Sequence, residues 1–135
     1  MEAYLVDDLK GIVDNSQGQS LHGTYVVFDI ETTGFSAMKD KIIEIGAVRV
    51  EDGKITDRFS QFVNPQIPIP FRIQQLTSIN DSMVQDAPTI DKVLPEFEQF
   101  CRGAVMVAHN AGFDMSFIKK NYEDLGIERE DTIVD

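Results

Sequence analysis

The sequence predicts an α/β fold in which helices pack on a mixed β-sheet. An apolar run at residues 25–29 is typical of a strand that is buried on both faces. An Asp-Gly pair at 52–53 separates two alternating runs, which predicts a β-hairpin. A second strand-like run, 104–108, lies between two helical patterns. Helical crossovers join parallel strands, so we expect 25–29 and 104–108 to be parallel neighbours in the centre of the sheet.

The remaining elements follow from apolar spacing and from helix capping signals. Residues 1–23 form a polar lead-in with one or two short strands. In chain order, the later elements are predicted as strands at 42–50 and 55–63, short helices at 73–76 and within 77–83, and helices at 89–101 and 113–125. Pro95 is expected to delay or distort the start of the third of these helices. Gly126 lies directly after the fourth, where a glycine commonly ends a helix.

Composition limits the function classes without choosing one. The 135 residues are enough for one domain, and no apolar run is long enough to span a membrane. The single cysteine, Cys101, cannot form an internal disulfide, so we expect a cytoplasmic protein. The net charge of −11, from 12 basic and 23 acidic residues, has the wrong sign for binding nucleic acid mainly through its phosphates. It fits either an acidic solvated surface or carboxylates that cluster around a metal.

Two carboxylates stand at the end of the first predicted strand. Asp29 and Glu31 are two residues apart, so their side chains project from the same face of the strand. Such a pair repels unless a cation neutralises it or one member binds a proton. An all-oxygen site of this kind suits Mg²⁺ or Mn²⁺. The Thr-Thr-Gly turn that follows frees backbone N–H groups nearby, and the sequence therefore predicts a divalent-metal site that handles phosphate.

A second polar segment follows the strand at 104–108. His109 and Asn110 come first, and Asp114 lies in the first turn of the last helix, where the helix dipole favours a carboxylate. Taken alone, this segment also fits an ordinary helix start. In sheets of this class, however, sites form beyond the carboxyl ends of the central strands. We therefore expect Asp114 to lie close to Asp29 and Glu31.

These segments resemble a known enzyme family. The first two motifs of the DnaQ-like (DEDDh) 3′–5′ exonucleases are similar to FDIETTG at 28–34 and VAHNAGFD at 107–114. The segment at 76–79 resembles the family's Leu-Thr-Gly-Ile, with Ser78 in place of glycine. The resemblance covers 24–135, and residues 2–8 also resemble the segment that precedes the exonuclease domain in PolC-type replicative polymerases.

The resemblance implies a ribonuclease-H-like fold and a proofreading exonuclease that releases nucleoside 5′-monophosphates with two Mg²⁺ or Mn²⁺ ions. It implies that Asp29 bridges both ions, that Glu31 binds one, and that Asp114 contributes directly or through water. Its implied partners are the 3′ end of single-stranded DNA and the remaining domains of a replicative polymerase. The residues implied to contact the terminal nucleotide are Thr32, Thr33, Gly34, Phe35, Leu76, Thr77, His109 and Asn110.

The sequence departs from the family at its third motif. Family members carry a His or Tyr followed about five residues later by Asp, on a final helix, and no such helix is expected within the 135 residues. His109 precedes Asp114 by five residues but belongs to the second motif and cannot stand in for the third. We therefore expect residues 24–135 to be a partial domain that lacks the final strand and helices, with little or no activity by itself. In the family, the His of this motif is the general base, and loss of a general base alone lowers the rate by about 10²–10⁴-fold. Asp135 matches a family residue at the start of a further strand and is not assigned a catalytic role.

Three alternatives stay open. The chain can be an exonuclease-like binding module without catalysis, or an RNA-directed exonuclease of the same family. A phosphatase of the haloacid dehalogenase type also places Asp-x-Asp-x-Thr after an apolar strand, with the first Asp as nucleophile. Glu31 in place of the second Asp and the HNxxFD segment disfavour the phosphatase.

Overall fold

The computed structural model describes residues 23–127 and the backbone of 133–134. The predicted lead-in, except for Gly23, lies outside the described residues. The strands are β1 Thr24–Thr32, β2 Ile42–Glu51, β3 Lys54–Phe62, β4 Val105–Ala108 and β5 Ile133–Val134. The helices are α1 Phe71–Thr77, α2 Asp81–Val84, α3 Ile90–Phe100 and α4 Ala111–Leu125. No helix within these residues is long and apolar enough to cross a membrane.

The strands form one mixed sheet in the order β3-β2-β1-β4-β5. β1 pairs antiparallel with β2 and parallel with β4, so the predicted central parallel pair is confirmed. β5 pairs parallel with the other edge of β4 and was not predicted. A strand of two residues is too short to show any period in the sequence.

β1 is longer than predicted and includes both carboxylates. Along its apolar stretch, successive side chains point to opposite faces of the sheet. Its pairing with β2 continues through Asp29 and Glu31. Val26, Phe28 and Ile30 point toward the helices, whereas Asp29 and Glu31 share the opposite face with Val27. The prediction ended this strand early because the polar residues gave no apolar signal, although β2 supplies backbone partners along its whole length.

The predicted hairpin between β2 and β3 is confirmed. Asp52 and Gly53 have φ angles of 50° and 80°, and two consecutive positive φ values are characteristic of the tight turn whose twist matches that of the flanking strands. The turn sets the register between β2 and β3, and the separate pairing of β2 with β1 places Glu44 opposite Glu31.

Helices α3 and α4 cover one face of the sheet. Phe97 of α3 contacts the rings of Phe28 and Phe59 at centroid distances of 5.7 and 5.5 Å. The hydroxyl of Tyr122 in α4 donates a 2.9 Å hydrogen bond to Glu98 of α3. The two helices are therefore joined by a polar contact as well as by the core.

Helix α3 begins at Ile90 and continues through Pro95, so the expected late start is wrong. Pro95 is exposed, and its missing N–H removes one intrahelical bond. The burial of Val93, Leu94 and Phe97 compensates for that loss.

Helix α4 begins at Ala111, two residues earlier than predicted, and ends at Gly126, whose φ of 70° confirms the predicted stop. Phe117, Ile118 and Tyr122 face the core as predicted. Leu125 stays 36% exposed, so its placement on the inner side was wrong.

Helices α1 and α2 pack on a smaller apolar cluster beside the sheet. The cluster consists of Ile43, Ile69, Ile73, Ile79 and Val84. Ser78 ends α1 with a φ of 63°, a conformation in which glycine is unstrained and serine is not. The Leu-Thr-Gly-Ile pattern thus reflects a backbone requirement that this chain meets with a serine.

Truncation of Phe97 should destabilise the whole domain. This ring is fully buried between the sheet and α3, so we expect Phe97→Ala to lower the free energy of unfolding by about 3–5 kcal/mol. The matched control is Phe71→Ala on α1, where the ring is 72% exposed and a change within about 0.5 kcal/mol is expected. Urea titration followed by circular dichroism measures both, and equal losses for the two variants would contradict this account of the core.

Candidate active site

The carboxyl ends of β1 and β4 open into one cavity of about 470 Å³. It brings together residues from both strands, from β2, and from the helices that follow. Its lining residues are Asp29, Ile30, Glu31, Glu44, Thr77, His109, Asn110, Phe113 and Asp114. Six of them were predicted as site residues, and the three carboxylates Asp29, Glu31 and Asp114 converge as expected.

The backbone of β1 holds the first two carboxylates. An oxygen of Asp29 accepts a 2.9 Å hydrogen bond from the N–H of Ile30, which orients the carboxylate. The pairing with β2 changes register between Glu31 and Thr32, a bulge of the kind that often lies next to active sites. Both side chains are only partly buried and remain accessible to a ligand.

Asp114 is the most deeply buried of the carboxylates, with 1% of its surface exposed. One oxygen accepts a 3.1 Å hydrogen bond from the backbone N–H of Asn110, and the N–H of Asp114 donates to the Asn110 carbonyl at 2.7 Å. The N–H of His109 donates to the carbonyl of Phe28 at 3.0 Å, which ties this segment to the end of β1. Asp114 therefore acts as a helix-start acid and lines the cavity at the same time.

Burial and mutual repulsion make the carboxylates hard to ionise. Burial first, and then the neighbouring Asp29 and Glu44 carboxylates, raise the pKa of Glu31 from 4.5 to about 7. Burial is also the largest cause that raises the pKa of Asp114 from 3.8 to about 7, with Asp29 and Glu31 adding to it. The hydrogen bond from Asn110 opposes this rise. A bound cation would remove the repulsion, so the site is electrostatically suited to one.

Glu44 is a fourth cavity carboxylate that sequence reasoning missed. It lies on β2 directly opposite Glu31, and burial, aided by Asp29, raises its pKa. The missed signal was the register between β1 and β2. Once β1 and β2 are aligned, alternation puts Glu44 on the face that carries Asp29 and Glu31.

The loop after β1 is organised by Asp40. Its carboxylate accepts hydrogen bonds from the Thr33 hydroxyl at 3.2 Å and the Ser36 N–H at 2.9 Å. The Thr32 hydroxyl donates to the carbonyl of Gly34 at 2.6 Å. Thr32 and Thr33 are buried, so their hydroxyls serve the loop and do not line the cavity. A contact between these residues and a nucleotide stays a prediction.

Only some of the other predicted nucleotide contacts line the cavity. Thr77 lines the cavity, while its hydroxyl donates to the Ile73 carbonyl at 2.8 Å. Phe35 and Leu76 are 65% and 67% exposed and do not line it. Phe35 is nevertheless next to the cavity, because its ring centroid is 6.2 Å from that of the lining residue Phe113.

A family model described as an exonuclease, RNase_T, matches residues 26–134. The chain belongs to this exonuclease family. The expected membership of the DnaQ-like exonucleases is thereby confirmed, and the haloacid dehalogenase alternative finds no support.

Curated relatives of this exonuclease chain are bacterial replicative polymerases. It is 56% identical to the "DNA polymerase III PolC-type" of Caldanaerobacter subterraneus subsp. tengcongensis, over 100% of this chain and 10% of the relative. It is 53% identical to the protein of the same name from Clostridium perfringens, over 100% of this chain and 9% of the relative. The chain thus spans about a tenth of the length of the curated relatives it matches.

Solved exonuclease structures share the fold. A product-bound exonuclease I matches with a TM-score of 0.75 at 12% identity, over 85% of this chain and 30% of the other. Exonuclease X in complex with 5′ overhanging duplex DNA matches with a TM-score of 0.60 at 36% identity, over 70% of this chain and 53% of the other. The predicted ribonuclease-H-like architecture is confirmed.

Exonucleases of this fold use divalent metals, and the donor set here fits such ions. Among the described residues, no three His, Cys, Asp or Glu side chains are grouped to hold an ion by themselves. Mg²⁺ does not require such a cage, since it is usually bound through one or two carboxylates together with water and substrate phosphates. Asp29 and Glu31, adjacent on one face of β1, supply that minimum.

The loop after β1 should not tolerate a side chain at Gly34. A Cβ there would lie 2.5 Å from a carboxylate oxygen of Asp40, so Asp40 would have to leave Thr33 and Ser36. We expect Gly34→Ala to lower the free energy of unfolding by about 1–3 kcal/mol in urea titrations. Gly112→Ala is the control, because no atom lies within 4 Å of its Cβ and a stabilising change below about 1 kcal/mol is expected. Equal effects of the two substitutions would contradict the role of Asp40.

The raised pKa values predict that the metal-free protein loses stability as pH rises from about 4.5 to about 7. The unfolded chain releases the protons of Glu31 and Asp114 near their ordinary pKa values of 4.5 and 3.8, whereas the folded chain holds them to about 7. Proton release in this interval therefore favours unfolding. Melting temperatures measured in EDTA should fall across the interval and level off above it.

The controls for this pH dependence are Glu31→Gln and Asp114→Asn, which should flatten it. Mn²⁺ should raise the melting temperature more at pH 8 than at pH 5, because it neutralises the ionised carboxylates. An unchanged slope in both variants would show that the dependence arises elsewhere.

Proposed function

We propose that this chain is the 3′–5′ proofreading exonuclease domain of a PolC-type DNA polymerase III. The reaction is hydrolysis of the terminal phosphodiester at the 3′ end of single-stranded DNA, with release of nucleoside 5′-monophosphates. Two Mg²⁺ or Mn²⁺ ions are the proposed cofactors. The observation that carries the proposal is the convergence of Asp29, Glu31 and Asp114 in one cavity of an exonuclease-family chain.

In this proposal each carboxylate has its own task. Asp29 and Glu31 would hold the ions, and Asp114 would contribute to the same site directly or through water. When bound, the ions activate a water molecule and stabilise the attacking and leaving oxygens. The hydrogen bond from Asn110 fixes the Asp114 carboxylate before any ligand arrives, so little reorganisation is needed. Glu44 adds negative charge beside Glu31, which strengthens the attraction for cations.

The walls of the cavity would position the substrate. His109 and Asn110 form one side, and Thr77 forms another. Phe113 adds an apolar surface whose ring packs on Phe117 in the core, at a centroid distance of 5.0 Å. A wall fixed in this way limits how a terminal nucleotide can lie against the carboxylates.

The relatives also support a place in a larger protein. Because the chain spans about a tenth of the PolC-type relatives, we propose that residues 24–135 form the first part of an exonuclease domain that works with the other domains of a replicative polymerase. The third motif of the family would then come from a later segment. A replication role would place the protein in the bacterial cytoplasm.

Removal of Asp29 in the full-length protein tests the function. We expect Asp29→Ala to lower the rate of 3′–5′ degradation of a single-stranded oligonucleotide by roughly 10²–10⁴-fold, since metal-held charge stabilisation is worth several kcal/mol. DNA synthesis by the same protein should continue, with more errors retained. Asp57→Ala, an exposed carboxylate on β3, is the matched control and should leave degradation unchanged.

Three outcomes would contradict the proposal in different ways. Full activity of Asp29→Ala would remove this site from the reaction. Degradation of RNA in preference to DNA would favour the RNA-directed alternative. A wild-type protein that binds DNA ends and never cleaves them, with Mg²⁺ or Mn²⁺ present, would favour the binding module.

A further inference from the structure

An exposed aromatic–cation pair lies at the rim of the cavity. The guanidinium carbon of Arg72 is 5.9 Å from the ring centroid of Phe35. Arg72 lies on α1 and Phe35 in the loop after β1, so the pair joins two elements that are distant in sequence. The Phe35 ring is 65% exposed. At an exposed site such a pair contributes only about 0.5–1 kcal/mol to stability.

The pair is adjacent to the reactive part of the site. Phe35 contacts Phe113, and Phe113 lines the cavity together with Asp114. Thr77, at the end of the helix that carries Arg72, lines the cavity from another side. The pair therefore borders the cavity in which the proposed function places the end of a strand.

Arg72 is a cation at the rim of an acidic cavity. Among the described residues, the cavity lining contains the four carboxylates Asp29, Glu31, Glu44 and Asp114 and no lysine or arginine. With a net charge of −11, the chain as a whole also repels a polyanion. A strand with one phosphate per nucleotide needs a compensating cation near the point where it enters.

Arg72 is available for that task. Among the residues that the structure describes, it forms no ion pair, and its recorded contact is the Phe35 ring. A guanidinium can stack on an aromatic ring with its face and donate two parallel hydrogen bonds to a phosphate with its edge. Stacking limits the motion of a long, flexible side chain, so less entropy is lost when a phosphate binds.

We propose that Arg72, held by Phe35, binds a phosphodiester of the DNA strand upstream of the bond that is cleaved. This inference rests on the proposed exonuclease function and adds a strand-binding residue outside the carboxylate site. Arg72 does not act on the reacting atoms. Phe35 is its positioning residue.

Two substrates separate this role from catalysis. The first is a single-stranded oligodeoxythymidylate, which has upstream phosphodiesters. The second is the p-nitrophenyl ester of thymidine 5′-monophosphate, which has none. In the full-length protein, Arg72→Gln should raise KM for the oligonucleotide by about 3- to 10-fold with kcat little changed, a loss expected for one charged hydrogen-bonded contact at an exposed rim. Hydrolysis of the ester should be unaffected.

The salt dependence of binding distinguishes a contact between Arg72 and phosphate from a purely structural role of Arg72. Binding of the labelled oligonucleotide, measured by fluorescence anisotropy in Ca²⁺ at several salt concentrations, should lose about 0.7 from the slope of log affinity against log salt. Arg72→Lys keeps the charge and should keep that slope while binding more weakly. Phe35→Leu removes the ring and should raise KM by a smaller factor than Arg72→Gln.

Arg102→Gln is the matched control, because it removes the same charge from an exposed position just before β4, at the opposite end of that strand from His109. Equal KM and salt slope in Arg72→Gln and Arg102→Gln would overturn the inference, as would a loss of ester hydrolysis in Arg72→Gln. If wild type cleaves neither substrate, the proposed function fails. If it cleaves both and Arg72→Gln behaves as wild type, only the inference about Arg72 fails.

Discussion

Parallel pairing of β1 with β4 is the constraint on which the site depends. The pairing puts the carboxyl ends of two strands that are about 80 residues apart in sequence beside each other, and the bond from His109 N–H to the Phe28 carbonyl extends it by one residue. Asp29 and Glu31 then face Asp114 across the cavity. The pairing, together with the shared core, holds these carboxylates in one cavity although their charges repel.

Burial of the carboxylates, followed by their mutual repulsion, has a consequence for function. Glu31 and Asp114 have pKa values near 7 in the absence of a cation, so the folded chain carries an electrostatic cost at neutral pH. A divalent ion held by these carboxylates would neutralise their charge and offset this cost. Helices α3 and α4 form a core against the sheet, and this core includes Phe97. Its stability offsets the electrostatic cost of the site.

Near the carboxylates, some side chains stabilise the loop after β1, and others are exposed beside the cavity. Asp40 uses its carboxylate on the loop after β1, and Thr32 and Thr33 use their hydroxyls there as well. Phe35 and Arg72 are exposed next to the cavity. The carboxylates proposed to hold metal therefore lie within the cavity, and the proposed strand contact of Arg72 lies outside it.

From the sequence alone, one can predict the element order, the hairpin, the central parallel pair and three of the four cavity carboxylates. These follow from local rules, since alternation places Asp29 and Glu31 on one face and Asp-Gly sets the turn. Glu44, the use of Thr32 and Thr33 within the loop, the strand at 133–134 and the contact between Phe35 and Arg72 were decided by the tertiary structure. Each depends on which segments pair or pack across a long separation, and that information is not contained in the spacing of residues along the chain.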